Sequence, residues 1–402
     1  MRAAFPASDR SKLGLGTRAV STPPVPDQAG TGLTPVLDMS STYEFEDTAT
    51  FAEAAHAKVG SGYVYTRWAN PTIDAFEAAV ADLEGTEAAE AFATGMGAIS
   101  GVVLSFCSSG DRIVATRELY GGTFSLFRVV LPRYGIQADA LDVWDYEGIE
   151  RSLPGSKLLY CETIGNPRVI VADLPKLADL ARAAGVPLVV DNTFATPILC
   201  RPAEHGASVV IHSATKFLGG HHDLLGGIAC ADPQLIAHIQ KTARDLGSTL
   251  SPFNAWLALR GLATLHLRMT RICESALAIA HMLSKHSAVE RVYYPVLTLD
   301  PSKRVADTLL GGRGGGVVGF DISGGAERAR RFQENLRLIR RAASLGGTHS
   351  LIVHAASITH TQLTTEELQA AGISEGFCRL SVGLEDPDDL IADLSRALGL
   401  VA

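Results

Sequence analysis

Ser213, Thr215 and Lys216 fall together where an apolar run, Ser208-Val209-Val210-Ile211, gives way to Gly219 and Gly220. The run is short enough to be a buried strand. A lysine just past a buried strand is costly unless it is solvated, paired or chemically used. Lysine forms Schiff bases when its surroundings lower its pKa, and the two hydroxyls could hold an anionic group beside it. Taken alone, a solvated loop lysine is the commoner case. A second run, Pro187-Leu188-Val189-Val190, ends in Asp191. A carboxylate and a lysine at adjacent strand ends meet two needs of pyridoxal phosphate, an acceptor for its ring nitrogen and an amine for its aldehyde.

Other polar residues stand at similar places. Thr94-Gly95-Met96-Gly97 opens an apolar helix, Ala98 to Phe106, so free N–H groups and a positive dipole end are offered to a phosphate. Tyr120 precedes Gly121-Gly122, and is as well explained by packing as by function. Glu162 and Asn166 follow the run Leu158-Leu159-Tyr160-Cys161. Tyr65 and Arg67 precede an Asn70-Pro71 turn, with Thr72 a candidate cap for the helix Ile73 to Leu83. They are either a surface cation–π pair or a hook for an anion, since arginine forks onto phosphate. Arg379 sits in an apolar strand pattern and needs an acidic partner, from the protein or from a substrate. His221-His222 near Asp223 reads as a structural loop, because no further ligands have metal-site spacing.

The elements that must position these residues follow from periodicity. About residues 1 to 60 form an extended, proline-rich arm with a helix from Thr48 to Lys58. From about 61 to 245, strand and helix patterns alternate, which predicts a mainly parallel sheet covered by helices. Its carboxyl edge is where such sheets bind ligands. From about 246 to 402 a long amphipathic connector, Phe253 to Leu283, leads to a smaller α+β unit. The chain has 402 residues, is 47% hydrophobic and 19% charged, and carries a formal charge of −8. That charge offers no footprint for nucleic acid or an anionic membrane surface. No run approaches a membrane span, the N-terminus lacks an apolar signal core, and six scattered cysteines fit reduced, buried thiols in a cytoplasmic protein.

Tyr65-x-Arg67-x-x-Asn70-Pro71-Thr72, Thr94-Gly95-Met96, Tyr120-Gly121-Gly122-Thr123, Glu162-x-x-x-Asn166-Pro167, Asp191-Asn192-Thr193, Ser213-Ala214-Thr215-Lys216, Ser344-Leu345-Gly346-Gly347 and Arg379-Leu380-Ser381-Val382-Gly383 occur in this order. The set, which spans nearly the whole chain, resembles the Cys/Met metabolism family of pyridoxal-phosphate enzymes, among them cystathionine γ-synthase, cystathionine γ-lyase, methionine γ-lyase and O-acetylhomoserine sulfhydrylase. The resemblance implies an α/β, fold-type I aminotransferase-like architecture. It also implies a homotetramer, a dimer of dimers whose arm and Tyr65/Arg67 hook reach the neighbouring subunit's cofactor phosphate. The activity implied is γ-elimination or γ-replacement on a sulfur-containing or O-activated homoserine-type amino acid.

By the same resemblance, Lys216 forms the Schiff base and shuttles protons, Asp191 keeps the ring nitrogen protonated, and Tyr120 stacks on the ring and protonates the leaving group. Gly95, Met96, Ser213, Thr215, Tyr65 and Arg67 hold the phosphate, Asn166 lies near the phenolic oxygen, and Arg379 with Ser344 binds the substrate carboxylate. Four places depart from the family's usual pattern: Asp38, His349-Ser350-Leu351, His354-Ala355-Ala356 and Gly122. Asp38 and His349 are expected at the substrate's distal end. They raise a specialised γ-replacement enzyme, with a sulfonium donor or an unusual acceptor, as one alternative. A non-catalytic relative kept as a binding protein is the other.

Overall fold

Seven short runs pair into one sheet, the inner ones because they are apolar enough to be covered on both faces. In the computed structural model, which describes residues 12–20, 33–56, 62–354, 358 and 373–401, these are β1 (Ala88–Phe92), β2 (Arg112–Thr116), β3 (Gln137–Leu141), β4 (Leu159–Glu162), β5 (Leu188–Asp191), β6 (Val209–His212) and β7 (Gly227–Ala231). Their order is β1-β7-β6-β5-β4-β2-β3. The ladder is parallel from β3 through β6, and only β7 runs against both neighbours. Every residue of β4 to β7 is buried. Because β1, β4, β5 and β6 point the same way, the segments that follow them emerge on one edge. The mainly parallel sheet expected from the sequence is present.

A second sheet, of order β10-β11-β12-β9-β8, joins β8 (Val289–Tyr293), β9 (Val317–Ile322), β10 (Arg340–Arg341), β11 (Leu351–His354) and β12 (Phe377–Ser381). It is antiparallel except between β10 and β11. Helix Gly325–Asn335 packs on β9, β11 and β12, and helix Pro387–Gly399 packs on that helix, which gives the smaller α+β unit. All six cysteines are buried and free. No helix among the described residues is long and apolar enough to cross a membrane.

Three local expectations are corrected. The connector is two helices, Pro252–Leu262 and Leu265–Leu283. The buried Arg268 guanidinium donates to the carbonyls of Phe217, Leu218 and Gly261, so a carbonyl at the end of the first helix, that of Gly261, is taken by a side chain of the second. The cap of helix Pro71–Glu84 is Asn70, whose Oδ1 accepts from Thr72 N at 2.9 Å. Thr72 instead uses its hydroxyl on Val36 O and Asp38 N. Within the arm, Leu15–Val20 is helical rather than extended. Arg18 pairs with Asp82 at 3.0 Å there, which ties this piece to its own chain. The proline-rich stretch 21–32 and the departure at Ala355-Ala356 lie outside the described residues.

Candidate active site

The carboxyl edge of the large sheet opens on a cavity of about 360 Å³. Lys216 enters it one turn past β6 and donates from Nζ to Ser344 Oγ at 2.9 Å. Burial pushes the Lys216 amine down to about 8, and the Arg379 charge adds to the effect. Ser344 comes from the smaller unit and is held at φ 111, a conformation costly for a residue with a Cβ. Its carbonyl accepts from Arg379 Nη2 at 3.4 Å, so one residue touches both cations of the cavity.

Arg379, on β12, is 4% exposed. Its Nη1 donates to Asn166 Oδ1 at 3.0 Å, while the buried Nε has no partner. Among the described residues no carboxylate forms an ion pair with it. Burial lowers its pKa to about 10. A buried guanidinium with an unspent N–H is costly unless an acceptor arrives. Of the two partners the sequence left open, a bound carboxylate fits this geometry. Because Asn166 gives its oxygen to Arg379, its amide NH₂ is left as the available donor.

Asp191 ends β5 and is 9% exposed. Thr193 N donates to its Oδ1 at 2.9 Å. Burial raises the Asp191 pKa, and the bonds from Thr193 oppose that rise. On the adjacent strand, in register with Asp191, Glu162 is also buried and its pKa is raised well above the usual range by burial and by Asp191. Glu162 Oε1 accepts from Tyr120 N, which fixes the turn carrying Tyr120. That ring is 46% exposed. It lies so close to Gly122 that a Cβ there would be 2.5 Å from its Cε1, so a side chain at this departure would have to displace the Tyr120 ring.

At the far end, Thr94 caps helix Gly95–Phe106 through Gly97 N at 2.9 Å. The amides of Gly95 and Met96 have no acceptor within the helix. A Cβ on Gly95 would sit 2.6 Å from Ser213 Cβ, so the glycine lets the helix start come up against the Ser213 strand end. Ser213 N donates to Thr193 Oγ1 at 2.8 Å, and Thr215 Oγ1 is bonded to Gly226 N at 3.0 Å.

Gly95, Met96, Tyr120, Asn166, Asp191, Ser213, Thr215, Lys216, Ser344 and Arg379 therefore line one cavity. Tyr65, Arg67, Asp38 and His349 do not. Arg67 is exposed, lies 5.9 Å from the Tyr65 ring centroid, and donates to Arg244 O at 2.8 Å. The Asp38 carboxylate accepts from Ser40 N and Tyr43 OH. His349 contacts Thr348 at 3.2 Å, on the exposed side of that loop. Among the described residues no group of three or more His, Cys, Asp or Glu side chains is placed to hold a metal. Sequence reasoning gave no role to Thr193, although it lies two residues past Asp191. Nor did it assign Glu162, one strand-end carboxylate among several.

Comparison with known proteins settles the family. The family model described as "Cys/Met metabolism PLP-dependent enzyme" matches residues 16–399. The chain belongs to that family. It is 40% identical over 394 residues to the L-methionine gamma-lyase of Porphyromonas gingivalis, covering 97% of this chain and 98% of that one. It is 42% identical over 363 residues to the O-succinylhomoserine sulfhydrylase of Pseudomonas aeruginosa, covering 90% of each. The crystal structure of cystathionine gamma synthase from Xanthomonas oryzae pv. oryzae, in complex with aminoacrylate and cysteine, superposes with a TM-score of 0.90. It is 37% identical and covers 97% of this chain and 98% of that one.

This Cys/Met metabolism enzyme uses pyridoxal phosphate, and the cavity fits it. Lys216 offers an amine that is readily neutral, Asp191 a buried acceptor, and the Gly95 cradle free amides for a phosphate. Among the described residues, Lys216 and Arg379 are the cations that line this cavity.

The lowered Lys216 pKa gives a pH dependence. Below about 8 the amine is mostly protonated and cannot attack an aldehyde; above it, the neutral form dominates. Cofactor uptake by apoprotein should accelerate as pH rises through about 8 and then level, whereas ordinary lysines need a pH near 10.4. Stopped-flow absorbance checks this, and a midpoint near 10 would contradict the lowered pKa.

Proposed function

We propose that the chain removes or exchanges the γ-substituent of an L-amino acid, either sulfur-containing or an O-activated homoserine. Ser344 carries this reading: its hydroxyl holds the Lys216 amine and its carbonyl holds Arg379. An amine base and a receptor for an α-carboxylate are thereby set side by side. When bound, pyridoxal phosphate supplies the electron sink needed for loss of protons from Cα and then Cβ. Arg379, with its unspent Nε–H, seats the substrate carboxylate. Lys216 moves the protons from the cavity wall, and Asp191 keeps the ring nitrogen protonated. Tyr120, half-exposed at the mouth, gives a proton to the departing group, help worth roughly 10²–10⁴-fold. A relative kept only to bind the cofactor would not need a lowered lysine pKa beside an unsatisfied arginine.

Among the described residues no arginine or lysine besides Lys216 and Arg379 lines the cavity, and the exposed Arg67 lies outside it. Both observations support an assembly, a homotetramer built as a dimer of dimers, in which the Tyr65/Arg67 hook completes the neighbour's site. Asp38 belongs to the same hook: its carbonyl accepts from Asn70 Nδ2 at 3.2 Å, and Thr66 N bonds to Ser41 O. A hook that enters the neighbouring cavity brings that carboxylate with it. This favours, as a second reading, a γ-replacement enzyme with a cationic acceptor or a sulfonium donor.

Assay of cystathionine, homocysteine, methionine, O-acyl homoserines and a sulfonium amino acid should show turnover of γ-substituted substrates, with 2-oxo acid and ammonia released in elimination. Turnover confined to β-substituted substrates would contradict the proposal. Preference for the sulfonium compound would favour the second reading.

Mixing tests the shared site. Arg67→Ala and Lys216→Ala chains, each inactive alone, should recover roughly a quarter of wild-type activity after random pairing, because one of two sites in each hybrid is intact. No recovery, with hybrids present, would place Arg67 outside the neighbour's site.

A further inference from the structure

Directly behind Asp191 lies a pair that the chemistry above does not use. Glu84, near the end of helix Pro71–Glu84, and His212, the last residue of β6, are each 0% exposed and meet at 2.6 Å between Glu84 Oε1 and His212 Nε2. The same Glu84 oxygen accepts from Asn192 Nδ2 at 2.9 Å. Asn192 also donates to Cys200 O at 2.8 Å and accepts from Thr163 Oγ1 at 2.8 Å. Glu84 Oε2 and His212 Nδ1 are buried without partners. A fully buried pair with two unsatisfied atoms is a poor way to stabilise a core, since apolar residues of similar volume do as well or better.

Its placement supplies a reason. β5 and β6 are adjacent, with Asp191 opposite Ile211, so His212 is one residue beyond that pairing. Asn192 follows Asp191 in the chain, so the Glu84–Asn192 bond fixes the backbone that carries the Asp191 carboxylate. We propose that Glu84, His212 and Asn192 are positioning residues that fix Asp191 and hold it as a carboxylate against the cofactor's ring nitrogen. This rests on the reading of Asp191 as the partner of that nitrogen. The opposing influence is burial, and His212 acts in the favourable direction on Asp191; the neighbouring Glu162 carboxyl has its own pKa raised by burial and by Asp191. The Tyr160 hydroxyl also faces Asp191, and the thiols of Cys200 and Cys230 face Glu84. Burial raises both thiol pKa values, so they remain uncharged.

The test is the nitrogen-15 signal of the ring nitrogen in holoenzyme loaded with labelled pyridoxal phosphate, for wild type, Glu84→Gln and His212→Gln. Wild type should show a protonated ring nitrogen from about pH 6 to about pH 9. In both variants the signal should move toward neutral pyridine. Turnover should fall roughly 10- to 100-fold, as when groups that orient functional ligands are lost, with KM little changed. Folded, loaded variants whose ring-nitrogen signal matches wild type would overturn the proposal. Should neither variant load, the wild-type ring-nitrogen signal decides: a nitrogen that stays protonated through that range supports the proposal, and one that loses its proton within it overturns it. A wild-type protein that takes up no pyridoxal phosphate overturns the cofactor reading itself, a failure separate from that of the variants.

Discussion

An amine held out of water is the constraint on which the site depends. Lys216 can meet an aldehyde near neutral pH only because burial disfavours its charged form. Burial in turn requires a closed wall, and Ser344 from the smaller unit provides it along with the single hydrogen bond to Nζ. The strained backbone at Ser344 is where the two sheets' contributions meet. The relation between large sheet and small unit is therefore part of the site, because it sets the positions of Lys216 and Arg379 together.

The parallel sheet explains why so many buried polar groups are tolerated. Strand ends deliver Glu162, Asp191 and Ser213 to one edge, and the loops that follow satisfy them locally, as Thr193 does for Asp191 and Ser213. Where satisfaction is incomplete, at Arg379 Nε, the missing partner is one a substrate can supply. A dry site with fixed donors makes electrostatic interactions stronger than in water, and its acids and bases are separated by environment as much as by residue type.

Much of this was legible in the sequence because the signals were local. The apolar helix opened by Thr94-Gly95-Met96-Gly97 is present and ends at Phe106 as read, since a threonine cap and an apolar run agree. Several residues that line the cavity stood at the ends of apolar runs, and the order of motifs gave the family. What was hidden depends on tertiary partners. After Leu262 the chain starts a new helix, and the Arg268 guanidinium at that junction bonds both to Gly261 O and to carbonyls some fifty residues away along the chain, contacts that no periodicity reveals. Asn70 and Thr72 are both good caps, and the choice between them was made by Thr72 binding Val36 and Asp38. Tyr65 and Arg67 read equally as a surface cation–π pair or as an anion hook, and residue type alone does not say that they lie outside their own chain's cavity, with Arg67 5.9 Å from the Tyr65 ring centroid.

Whether Lys216 is the residue that holds the cofactor is measured most directly by borohydride reduction of the purified protein, followed by peptide mapping by mass spectrometry. A yellow protein that bleaches and carries the reduced cofactor mass on the peptide containing Lys216 is the predicted result. Cofactor mass on a different lysine, or a colourless protein that cannot be reconstituted, would contradict it.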